Sequence, residues 1–156
     1  MILPFEKEPE MLGTREIHSS RKTLLEIELK QADHLPQEIS SLCRDMLGET
    51  TKGNDGFRRK NMPALIYDYF NGMRATFKTC HRLLAHRAKA AFVVGPNVTT
   101  IHERPFRIDT PALLATLGNS VGLHHLETIE LDTYARYGLH SQNSIKAESL
   151  VIFEKP

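Results

Sequence analysis

The chain has 156 residues, of which 40% are apolar and 25% charged, and its net charge is +1. That balance fits one ordinary globular domain with an adequate core and excludes a strongly basic nucleic-acid binder. Two cysteines, Cys43 and Cys80, form no spacing motif, and no apolar run approaches the ~18 residues of a membrane helix, so a reduced, cytoplasmic setting without a membrane partner is expected.

The opening MILPFEKEPE is acidic and contains a proline, unlike a signal peptide. Residues 1–22 read as polar and irregular, with Leu12 and Ile17 among the few to bury. TLLEIELK, 23–30, suits a short helix or a strand. Pro36 then marks a helix start, Ile39, Leu42, Cys43, Met46 and Leu47 give the period, and Gly48 is placed to close it. ETTKGNDGFRRKN, 49–61, reads as a loop with two glycines and a basic cluster. Pro63 begins the clearest helix, with Ile66, Phe70, Met73, Phe77, Cys80 and Leu84 at three- and four-residue steps. Gly72 weakens it by roughly 1 kcal/mol without ending it.

HRLLAHRAKAAFVVGPN, 81–97, carries that helix into a strand at 89–95. Ala90–Val94 has no polar alternation, so the strand is expected to be covered on both faces, as in an α/β fold. Residues 96–108 read as a loop. Thr110-Pro111 opens the next helix, with the Thr110 hydroxyl as its cap and Leu113, Leu114 and Leu117 as its buried stripe. Gly118 to Gly122 ends it. His124–Leu131 reads as a strand, DTYARYGLHSQNSIKAE as a polar connection, and Ser149–Phe153 as a last strand. No helix joins these final two strands, so they are expected to be antiparallel.

Several chemistries lack their motifs. The sequence contains no G-x-G-x-x-G, no G-x-x-x-x-G-K-[ST], no H-E-x-x-H and no G-x-S-x-G. Eight histidines invite a metal reading, but adjacent His124 and His125 point to opposite faces of a strand, and His81 and His86 sit five apart at a helix end. No metal site is expected.

Charge is more informative. From Asp68 to Glu103 no acidic residue intervenes, while Arg74, Lys78, Arg82, Arg87 and Lys89 fall in that interval. Arg74, Lys78 and Arg82 are four apart and share one helix stripe, a candidate contact for a nucleic-acid backbone. The plainer reading is a solvated helix face. Ligands of open α/β sheets bind outside the strand C-termini. There Asn97, Thr99 and Thr100, with Asn143 and Ser144 in the last connection, are candidate substrate-loop residues. Asparagine and serine in turns more often bond their own backbone.

From about Tyr69 onward, YFNGMRATFKTCHRLLAHRAKAAFVVGPN, DTPALLATLGNSVGL and ETIELDTYARYGLHSQNSIKAESLVIFEKP resemble the C-terminal part of S-adenosylmethionine-dependent DNA (or RNA) methyltransferases of the amino-methylating type. LGTREIHSSR near the start resembles them more weakly. The most specific stretches are N-S-I and the terminal E-S-L-V-I-F-E-K-P. The resemblance implies a partial class I methyltransferase (Rossmann-like) α/β sheet. In it a helix-linked strand is followed by a reversed final strand inserted by a hairpin. It also implies methyl transfer to the exocyclic nitrogen of adenine or cytosine.

The departures are as informative. The family's glycine-rich cofactor loop and its (Asn/Asp/Ser)-Pro-Pro-(Tyr/Phe) segment, which holds a flipped base, have no counterpart in this sequence. Both are expected to precede residue 1, so catalytic and cofactor residues are unknown here. Relatives carry Pro-Gly-Gly between helix and strand, where this chain has His86-Arg87-Ala88. Histidine tolerates positive φ better than most residues, which makes His86 the candidate for the left-handed place.

Residues 1–61 are thus expected to be a helical or irregular N-terminal region, a candidate target-recognition insert, and 62–156 the C-terminal half of the methyltransferase-like domain. S-adenosylmethionine belongs to the complete enzyme, with none expected on this chain alone. Expected partners are DNA or RNA, a separate chain supplying the N-terminal half, and a second copy through an open sheet edge. The alternative is a non-catalytic nucleic-acid-binding accessory that uses the basic stripe.

Overall fold

The computed structural model describes residues 12–14, 17–31, 34–53, 55–132 and 148–156. The class is mixed α/β: helices α1 (Ser19–Gln31), α2 (Gln37–Thr50) and α3 (Phe57–Leu83), strands β1 (Lys89–Val94), β2 (Asn97–Ile101) and β3 (Arg104–Ile108), helix α4 (Thr110–Ser120), and strands β4 (His124–Leu131) and β5 (Glu148–Glu154). Two compact units divide the chain: one runs to Ala75 and takes in Thr99–Phe106, and the other comprises Thr76–Val98 and Arg107–Pro156.

The first unit is helical. TLLEIELK resolves as part of α1, not a strand, because Leu25 and Leu29, one turn apart, are both buried. Leu24 and Ile27 are left exposed. Helix α1 packs on α2, where Ile39, Cys43 and Met46 are fully buried. Burial pushes the Cys43 thiol up to about 12, with the Arg44 charge opposing it, so this sulfur is inert at neutral pH.

Gly48 does not close α2, which runs on to Thr50. The Thr50 and Thr51 hydroxyls donate to the Leu47 and Gly48 carbonyls at 2.7 Å each and finish the last turn instead. Helix α3 begins at Phe57, so Pro63 lies inside it and not at its start, and the expected loop at 49–61 shrinks accordingly. Having no N–H, Pro63 leaves the Arg59 carbonyl without its usual helical donor. Arg21 forks onto Asp68 of α3, with Nη2 2.7 Å and Nε 3.3 Å from the carboxylate oxygens. Burial holds the Tyr67 hydroxyl above its ordinary range.

The expected loop at 96–108 is a hairpin, β2 with β3. Its turn residues His102 and Glu103 have φ of 46° and 66°, left-handed values usually given to Asn-Gly.

In the second unit the sheet order is β1-β5-β4, with β5 antiparallel to both neighbours. Strands β1 and β4 therefore run the same way, linked through α4, and β5 is reversed between them. The expected antiparallel final pair is present, in the register His125↔Phe153, Thr128↔Val151 and Ile129↔Leu150, with an irregularity between His125 and Glu127.

One face of the sheet is a core. Phe153 is fully buried, with ring centroids 5.0 Å from Phe77 and 6.1 Å from Phe92, and Gly118 of α4 lies against its ring. Leu114 and Leu117 are buried one helical step away, while Leu113 is only half-buried. The cap of α4 is Asp109 and not Thr110: its Oδ1 accepts from the Ala112 N–H at 3.3 Å.

The opposite face carries the row Val93, Leu150, Ile129 across all three strands. Val93 is 57% exposed and Ile129 41% exposed. Strand β1 is therefore not covered on both faces. Its residues alternate between exposed and half-buried, and among the described residues β5 is its only partner.

The corner into β1 is built on Arg87, at φ 63°, and not on His86. The Arg87 N–H donates to the Lys155 carbonyl (2.8 Å), and the Lys155 N–H donates to the Ala88 carbonyl (3.0 Å). Lys155 Nζ donates to the Leu84 carbonyl at 2.9 Å, a cation on the last turn of α3. The C-terminal segment thus pins the place where the resemblance leads one to expect Pro-Gly-Gly.

Candidate nucleic-acid interface

The basic stripe lies on α3 as the four-residue spacing requires, each step rising ~6 Å. Arg74 is half-buried in the first unit, whereas Lys78 and Arg82 are exposed in the second. Among the described residues none of the three is in an ion pair.

The strand-end candidates divide. Asn97 opens β2, and its Oδ1 accepts from the Val98 N–H at 2.8 Å, the local backbone bond typical of asparagine in turns. Thr99 and Thr100 are half-buried within β2, not in a loop beyond β1. Asn143 and Ser144 lie outside the described residues.

Two ion-pair groups inside the first unit hold the hairpin. Glu49 is buried, and its Oε2 accepts from Lys52 Nζ (3.0 Å) and Arg104 Nη1 (3.4 Å). The Lys52 hydrogen bond first, then Arg104, holds this carboxyl below its ordinary range against the opposing effect of burial. Arg104 also stacks over Phe106, its Cζ 4.8 Å from the ring centroid. Asp55 accepts from the His102 N–H at 2.9 Å and pairs with Arg59 at 3.5 Å. A Cβ on Gly53 would meet the exposed His102 ring, which would have to turn aside. These contacts engage Glu49 and Asp55 and position the hairpin.

A cleft of about 570 Å³ in the same unit escaped the sequence reading. Lys22, Glu26 and Lys30 line it from α1, Arg44 from α2 and Lys60 from α3. The signal was present as Lys22, Glu26 and Lys30 at successive four-residue steps, legible only once 19–31 is read as a helix. Among the described residues no three His, Cys, Asp or Glu side chains gather as metal ligands, and no helix is long and apolar enough to cross a membrane.

No protein family, no curated protein and no solved structure matches the chain.

Proposed function

We propose that this chain is the C-terminal segment of an S-adenosylmethionine-dependent nucleic-acid amino-methyltransferase acting on DNA, inactive by itself. The observation that carries the reading is the strand order β1-β5-β4, with a helix crossover from β1 to β4 and a reversed β5 between them. This is the ending that the resemblance implies for a class I methyltransferase sheet. The order rests on pairing between residues far apart in the chain, which the resemblance implies but local sequence pattern does not give.

Further support comes from the outer edge of β1 and the Val93–Leu150–Ile129 row. An unpaired edge beside an apolar, exposed face is what a sheet presents where further strands and helices belong. In this reading the front half, on a second chain or a preceding region, pairs along β1 and covers that row.

S-adenosylmethionine would supply the electrophilic methyl group in the complete enzyme. The residues present do not fit a site for it. The chain has no glycine-rich loop or Pro-Pro segment, and Asn97 beyond β1 is engaged with its own backbone. No cofactor contact is therefore assigned here.

The second reading, a non-catalytic nucleic-acid-binding accessory, draws on Lys78 and Arg82, which are exposed and in no ion pair among the described residues. Calorimetry with S-adenosylmethionine tests the division of labour. The proposal expects no saturable heat with this chain alone, and micromolar binding would sink the claim that the cofactor site lies elsewhere.

A further inference from the structure

We infer that the cleft between α1, α2 and the start of α3 binds the phosphodiester backbone of a nucleic acid. This deepens the reading above and rests on its nucleic-acid part, but does not need methyl transfer by this chain. Lys22, Lys30, Arg44 and Lys60 line the cleft against one carboxylate, Glu26. Glu26 is already paired with Lys22 at 3.6 Å. The whole chain carries a net charge of only +1, so positive charge is concentrated at this place.

The same lining says what is recognised. The Thr50 and Thr51 hydroxyls, which also line the cleft, are spent on the Leu47 and Gly48 carbonyls, each at 2.7 Å. Those bonds offset the negative end of α2, which would otherwise oppose an anion. Leu47 is the apolar lining residue, and the lining has no aromatic ring on which a base could stack. The site therefore reads charge and not base identity. Lys22 and Lys30 are two helical turns apart, ~12 Å, which spans several phosphates of one strand at ~3.4 Å of duplex axis each. Lys30 is in no ion pair among the described residues. Arg44 Nε bonds the Leu29 carbonyl at 3.0 Å and fixes the wall of the cleft.

The test is fluorescence anisotropy of the full chain with a labelled DNA duplex and a labelled single-stranded RNA, from about 50 to about 200 mM KCl. The triple variant K22Q/K30Q/K60Q leaves Arg44 and its backbone bond in place. It is expected to lose at least tenfold in affinity and to flatten the slope of log K against log salt by up to about 2.7, roughly 0.9 per lost phosphate contact. If the triple variant does not fold, K30Q alone is expected to flatten the slope by about 0.9. A variant that binds with wild-type affinity and slope overturns the cleft inference and leaves the nucleic-acid reading standing. Wild-type protein that binds neither probe overturns both. Cleft-dependent binding to phosphatidylserine vesicles, without binding to either nucleic acid, assigns the cleft to an anionic membrane surface and overturns the inference.

Discussion

Gly118→Ala is the sharpest test of how α4 sits on the sheet. In an exposed helix interior this change stabilises by about 1 kcal/mol, because alanine is the better helix former. Here the added Cβ would sit 2.8 Å from Phe153 Cδ1 and 2.9 Å from Cζ, with Cε1 nearer still. The ring has little room to yield, because Phe153 is fully buried and packed against Phe77, Phe92 and His125. Overpacking of this kind costs about 1–3 kcal/mol, and a three-atom clash with a fixed ring belongs at the upper end. The expected net loss is about 2 kcal/mol, or a fall in Tm of about 4–8 °C for a chain of this size.

Far-UV circular dichroism during thermal and urea unfolding measures the loss, and a double-mutant cycle assigns it. Phe153→Leu removes the ring edge that the new methyl group would strike. In that background Gly118→Ala should cost at least about 1 kcal/mol less than in wild type. A Gly118→Ala variant more stable than wild type, or the same cost with and without the Phe153 ring, would refute the α4–β5 packing described above.

Three further outcomes follow from local geometry. Arg87→Gly, at φ 63°, should stabilise by about 0.5–1 kcal/mol in denaturant melts, since glycine adopts this backbone freely; a loss would mean the corner is not left-handed. Glu49 is held low by Lys52 and Arg104, so its contribution to stability is full above the ordinary glutamate value of about 4.3 and fades as pH falls through the lowered one. Wild type should therefore lose stability across that acid range more steeply than Glu49→Gln, and parallel pH profiles would contradict the pairing. Alkylation at neutral pH followed by mass spectrometry should label half-buried Cys80 and spare buried Cys43, whose thiol burial pushes up to about 12; labelling of Cys43 in the folded protein would contradict its burial.

The elements legible in the sequence were those with strong local grammar. The period of Ile66 to Phe77 gives the body of α3, Thr110-Pro111 marks the start of α4, and apolar runs mark β1 and β5. Where the reading failed, a local signal pointed elsewhere. Leu25, Ile27 and Leu29 alternate as in a strand, and only the i, i+4 burial of Leu25 and Leu29 decides for a helix. Pro63 imitates a helix start while sitting seven residues into α3. The β2–β3 hairpin escaped because its turn is His102-Glu103, without the glycine or asparagine that normally announces positive φ, and because Pro105 interrupts β3.

The candidate site was less legible than the fold. The basic stripe on α3 is a one-helix pattern and could be read directly. The cleft draws Lys22, Lys30, Arg44 and Lys60 from three helices, and no single window of sequence contains them. Asn97 illustrates the reverse problem: its residue type suggested a ligand contact, and its amide serves the adjacent backbone.

The central claim is that this chain carries the end of a methyltransferase sheet whose cofactor half lies elsewhere. Its most direct test is methyl transfer from labelled S-adenosylmethionine to duplex DNA, assayed with the chain alone and with the chain coexpressed with the product of the reading frame immediately upstream. The account predicts label on the exocyclic nitrogen of adenine or cytosine only when both are present. Label transferred by this chain alone, or no label in either assay, would contradict it.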